Sequence, residues 1–143
     1  MIGKLFSIFA VSAFSTTLFA QCPSPGIWKP VDQNLKGVVE KQGANLHWTV
    51  TDVKPDGSPW TLNFTVPLKG GVGQVYESTG RFDSVTSKVV SPLVRDNTFT
   101  RGGKKARFDH IECSKDGKTF TDTESGIDIH GKPFHGTIVA TKQ

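Results

Sequence analysis

The chain has 143 residues, a formal charge of +4 at pH 7 and 36% hydrophobic residues. That length suits one domain and leaves little room for a second. A charge this small, spread along the whole sequence, disfavours nucleic acid as a partner.

The N-terminus reads as a signal peptide. Lys4 supplies a cationic start, Leu5–Phe14 an apolar stretch and Ser15-Thr16-Thr17 a more polar break. Leu18-Phe19-Ala20 then places a small residue before the expected cut. The apolar stretch falls short of the roughly 20 residues that span a bilayer, which argues against an uncleaved anchor. Cys22 is not the first mature residue, which argues against a lipoprotein. The expected organisation is therefore a signal peptide at 1–20 and one mature domain at 21–143, secreted or periplasmic and not membrane-spanning after cleavage.

Cys22 and Cys113 are the only cysteines. In an exported chain they point to one disulfide, the alternative being two independent thiols. Neither has a neighbour that would activate it as a nucleophile.

From residue 21 onward no helical periodicity stands out. Apolar residues recur at spacing two, in short runs bounded by turn residues. Strands are expected at Leu46–Val50, Trp60–Val66, Ser84–Val90, Leu93–Asp96, Thr98–Arg101, Lys104–Cys113, Thr119–Ser125 and Phe134–Thr141. Pro55-Asp56-Gly57 and Asp116-Gly117 are strong turns. Ser91-Pro92, Asp96-Asn97 and Gly102-Gly103 are further turns, and Lys69–Gly73 reads as a flexible connection. This predicts an all-β fold, an antiparallel up-and-down barrel of about 8–10 strands. At about eight strands such an interior is either filled by side chains or holds one small ligand. Trp48, Trp60, Phe64, Phe82, Phe108, Phe120 and Phe134 are the candidate lining of that interior, or else its packing.

Gly26-Ile27-Trp28-Lys29 resembles the Gly-x-Trp opening of lipocalins, in which the Trp plugs one end of the barrel. The Pro-Asp-Gly turn, Ser87–Asn97, Gly102-Gly103-Lys104, Ser114–Thr119 and the closing Thr141-Lys142-Gln143 follow in the order found in small bacterial secreted lipocalin-like (calycin-type) proteins. The resemblance implies a barrel of eight to ten strands whose cup takes a small hydrophobic molecule. It implies no catalytic residue and no cofactor.

Other chemistry is thinly represented. Asp128, His130 and His135 form a weak metal-ligand pattern across a turn, read more simply as solvated loop residues, so no metal is expected. His47, His110 and Glu112, with Lys104, Lys105 and Arg107 for phosphate, are the best enzyme pattern available. Asp109 and His110 are adjacent on a strand and point to opposite faces. Arg101, Lys104, Lys105 and Arg107 are expected to form one basic tip around Gly102-Gly103, read most simply as a solvated edge that discourages strand-to-strand aggregation, the alternative being a contact for an acidic surface or protein partner. The expected function is a non-enzymatic carrier of a small apolar molecule or lipid. The alternatives are a protein-binding module or inhibitor with a filled barrel, and a small basic nuclease-like hydrolase.

Overall fold

A computed structural model describes residues 21–31 and 33–143; the expected signal peptide lies outside the described residues. The described chain forms eleven strands and no helix. They are β1 (Gly26–Pro30), β2 (Lys36–Gln42), β3 (Asn45–Val53), β4 (Pro59–Pro67), β5 (Gly71–Val72), β6 (Gln74–Ser78), β7 (Ser84–Ser91), β8 (Val94–Arg101), β9 (Lys104–Cys113), β10 (Thr119–Ile127) and β11 (Pro133–Lys142).

All pair antiparallel in one sheet, in the order β5-β7-β8-β9-β10-β11-β1-β2-β3-β4-β6. The first and last strands are neighbours, Trp28 standing opposite Lys142. At the other seam only Gly73 separates β5, which pairs β7, from β6, which pairs β4. One stretch of chain thus changes partner and brings the sheet to a nearly closed barrel. Gly73 N donates to Val85 O at 2.9 Å. A Cβ at Gly73 would lie 2.0 Å from Thr65 O. Gly73→Ala is therefore expected to force the seam apart at a cost of about 3 kcal/mol, seen as a lowered urea midpoint. An unchanged midpoint would remove this role from Gly73.

The alternation that builds each strand sets its inner face. On β3 and β4, Leu46, Trp48, Leu62, Phe64 and Val66 are buried. Their hairpin turns on Asp56, whose carboxylate accepts from Ser58 N at 2.9 Å. Gly57 adopts a φ of 84° there, which glycine reaches without steric cost.

Four expectations are corrected. Leu93–Asp96 and Thr98–Arg101 are parts of one strand, β8, and Asp96-Asn97 is no turn: Arg95, Asn97 and Phe99 continue the inward alternation. Lys69–Gly73 is partly strand. β1, β2 and β6 add pairings beyond the expected set. Phe108 lies on the outer face, where Lys105 Nζ sits 5.6 Å from its ring centroid. The register slips between β8 and β9, with Thr100 opposite Lys105 but Phe99 opposite Arg107. The extra residue, Ala106, flips the faces beyond it. Arg107, Asp109 and Ile111 turn inward in place of Phe108.

One end of the barrel is packed shut. Trp28 and Phe120 have ring centroids 4.9 Å apart, Trp48 stacks on Phe64 at 5.8 Å, and Phe99 meets Phe64 at 5.0 Å and Phe82 at 5.2 Å. Trp28 Nε1 donates to Ser24 O at 3.0 Å, anchoring the segment before β1. A Cys22–Cys113 disulfide, S–S 2.01 Å, ties that segment to the end of β9. Arg95, 1% exposed, donates to Pro67 O, Leu68 O and Ser87 Oγ at 3.1, 2.8 and 2.8 Å. It satisfies the carbonyls of the β4–β5 turn from inside.

Candidate functional site: a cup over a charged floor

The opposite end is hollow. A cavity of about 610 Å³ opens between the β3–β4 and β10–β11 turns, residues 33–35 and the Thr79–Phe82 connection. Its size falls within the range of small-molecule sites. Trp60 on β4, Phe82, and Phe134 and Ile138 on β11 form apolar walls. Gly136, also on β11, leaves the wall beside Glu124 without a side chain; a Cβ there would lie 3.5 Å from Glu124 Oε1. Arg101 completes the wall. Its guanidinium stacks over Phe82 at 5.1 Å and donates to Gly80 O at 2.9 Å and Ile127 O at 2.8 Å.

The floor is ionic. Arg107 Nε donates to Asp109 Oδ1 at 2.9 Å and its terminal nitrogen to Glu124 Oε2 at 2.7 Å. The same guanidinium lies 5.8 Å from the Trp60 ring centroid. The strand pattern explains the convergence: Glu124 pairs Asp109 across β9–β10, and Asp122 stands one inward position deeper, opposite Ile111. Oxygens of Asp109, Asp122 and Glu124 lie within 4.8 Å of one another.

Three carboxylates facing one guanidinium cannot all ionise at no cost. Burial, then the charges of Asp109 and Glu124, push Asp122 up to about 8 against the pull of Arg107. Burial also raises Asp109 and Glu124, with Arg107 opposing it in both. Burial works against the charge of Arg107 itself, but Asp109, Glu124 and Asp122 outweigh it and hold its pKa above the ordinary value. The folded state therefore keeps a proton on Asp122 that the unfolded chain loses near pH 4. Stability is expected to fall as pH rises from about 4 to about 8, by at most about 1.4 kcal/mol per pH unit from this group. Asp122→Asn, which mimics the protonated form, should flatten that slope. Urea unfolding at pH 5 and pH 8 checks it; equal slopes in both proteins would refute the assignment.

A scan against protein-family models and a search of curated proteins return no match for this chain.

The residues singled out from the sequence divide by position. Trp60, Phe82 and Phe134 line the cup. Trp48, Phe64 and Phe120 belong to the packed end, where Trp48, Phe120 and Asp122 border a small cavity of about 50 Å³. Phe108 belongs to neither. The expected basic tip is not assembled: Arg101 and Arg107 turn into the cup, and only Lys104 and Lys105 are exposed at the β8–β9 turn.

The histidines occupy separate settings. His47 contacts Gln42 Nε2 at 2.9 Å and Asn63 Oδ1 on the outer face of β3. His110 lies between Glu112, at 3.0 Å, and Asp96, and hydrogen bonds to these two carboxylates raise its pKa. The two networks share no residue. His130 borders the cup, while its neighbour Asp128 accepts from His130 N and Lys132 N, both at 2.9 Å, and shapes the turn. His135 alternates with Phe134 and faces outward.

Asp122 and Glu124 are not among the residues expected from the sequence. The signal was present in Phe120-x-Asp122-x-Glu124-x-Gly126, which sets two carboxylates on the inward side that Phe120 marks.

Proposed function

We propose that the chain is an exported, non-enzymatic binding protein that holds a small molecule with an apolar body inside a lipocalin-like barrel. The observation that carries this reading is the 610 Å³ cup, walled by Trp60, Phe82 and Phe134 and backed by an aromatic plug. An apolar body displaces water from those rings, worth roughly 25 cal/mol per Å² of buried surface. The Cys22–Cys113 bridge supports export, since disulfides persist in oxidising compartments. Among the described residues no helix is long and apolar enough to cross a membrane.

The test is organic extraction of the purified mature protein with mass spectrometry, alongside titration with an apolar fluorescent dye. The expected result is a reproducible co-purifying apolar compound, or dye binding that Trp60→Ala weakens about tenfold. A clean extract together with no dye response would overturn the reading.

A further inference from the structure

Below the cup the column of inward residues runs on. Glu124, Asp122 and Phe120 on β10 stand opposite Gly136, Ile138 and Ala140 on β11. The first of these rungs lines the cup, the lower two border the cavity of about 50 Å³, and Ile138 and Leu35 border both spaces. The small cavity therefore adjoins the deep end of the cup. Two polar groups at its border are unspent. Trp48 Nε1 is a donor and Asp122 Oδ1 an acceptor, and each is buried with no hydrogen-bond partner among the described residues. Trp48 is 6% exposed, and its ring packs on Phe64 and Phe120 at centroid distances of 5.8 and 6.1 Å. The other side chains around the cavity are apolar, save Trp28, whose Nε1 is given to Ser24 O. Unmet buried polar groups are costly, and a native interior pairs nearly all of them.

We propose that the small cavity seats the head of the guest, and that this head is a hydroxyl: an uncharged, long-chain alcohol whose body lies along Trp60, Phe82 and Phe134 and whose O–H enters between Trp48 and Asp122. This rests on the cup being a ligand site and names the class of ligand. One orphaned atom gives a proton and the other takes one. A hydroxyl answers both at once, accepting from Trp48 Nε1 and donating to Asp122 Oδ1. An ammonium accepts nothing and leaves the indole N–H unmet. A carboxylate or a ketone donates nothing and leaves the carboxyl oxygen unmet. Charge of either sign finds no partner at this depth. Burial keeps Asp122 neutral up to about pH 8, so it offers a cation no ion pair. Arg107 is already held by Asp109 and Glu124, so it offers none to an anion. Size agrees with the chemistry. One water needs about 10–15 Å³, so a cavity of about 50 Å³ takes a hydroxyl with the carbon that bears it and little more. The apolar body is left to the larger space above.

Three probes of equal carbon count, decanol, methyl octyl ketone and decylamine, separate the readings by titration calorimetry at pH 6 on the disulfide-intact protein. Decanol is expected to bind about tenfold more tightly than either of the others. Asp122→Leu, which removes the acceptor at similar volume, should bring the alcohol-to-ketone ratio towards one. Trp48→Phe, which removes the N–H and keeps an aromatic ring, should weaken alcohol and ketone together and change the amine little; it serves if the Asp122 variant does not fold. Equal binding of the three probes would leave the small cavity to water and overturn the hydroxyl head while the cup stands. Tighter binding of ketone or amine, or an unchanged ratio in a folded Asp122→Leu protein, would overturn it equally. Failure of all three probes and of the apolar dye would instead sink the cup as a ligand site.

Discussion

Arg107→Met is expected to cost about 3–5 kcal/mol of folding stability, since removing one partner of a buried ionic group strands the others. Among the described residues the guanidinium is the only cation bonded to Asp109, which is 5% exposed, and to Glu124. Methionine fills most of the same volume, so the loss reports charge and hydrogen bonding and not a cavity. Two controls make the result specific. Stability should recover as pH falls, because protonating Asp109 and Glu124 removes the unpaired charge. The triple variant Arg107→Met, Asp109→Asn, Glu124→Gln should regain most of what the single variant loses. Urea unfolding at pH 4.5 and pH 7.5 measures both. A single variant within about 1 kcal/mol of the parent at neutral pH would show that the network contributes little.

Removing the disulfide should have an effect of similar size. The bond closes a loop with a sequence separation of 91. In the chain-entropy account this is worth roughly 4–5 kcal/mol, through restriction of the unfolded chain. Cys22→Ser with Cys113→Ser, or reduction by dithiothreitol, should lower the urea midpoint accordingly. The bridge also fixes the segment carrying Ser24, whose carbonyl holds Trp28 Nε1. Near-ultraviolet circular dichroism from the Trp28–Phe120 pair should therefore weaken before the sheet signal does. A midpoint unchanged by reduction would contradict this.

What the sequence made legible was the part of the barrel where inward residues are apolar. Leu46-x-Trp48-x-Val50 and Trp60-x-Leu62-x-Phe64-x-Val66 state their face directly, and the Asp-Gly turn between them fixes the register. The barrel class followed from repeating that pattern. Legibility failed where the interior is polar. Asn97 looked like a turn residue because asparagine favours turns, yet it stands fully buried in mid-strand. Arg107 looked like a surface cation because strict alternation from Lys105 and Phe108 assigns it outward. One extra residue at Ala106 reverses that assignment, and spacing alone does not announce a bulge. The cup's floor was hidden by these two features together: a polar interior, reached through a change of parity. The walls at Trp60, Phe82 and Phe134 were visible as inward aromatics, but nothing local distinguished a wall from packing, because hollowness depends on what the facing strands lack.

The pairing of β1 with β11 carries a consequence for how the cup comes into being. Each hairpin from β2 to β11 joins near neighbours in the chain, but Trp28 opposite Lys142 joins its two ends. Forming such a distant pair is entropically the slowest kind of step in folding. The cup draws its walls from residues as far apart as Leu35 and Ile138. A fragment lacking either side of that span lacks part of the wall, so affinity for a guest is expected only once the strands that carry both sides are in place. Ligand capture would then report the last event of maturation, and a chain stalled one strand short would be largely folded yet empty-handed.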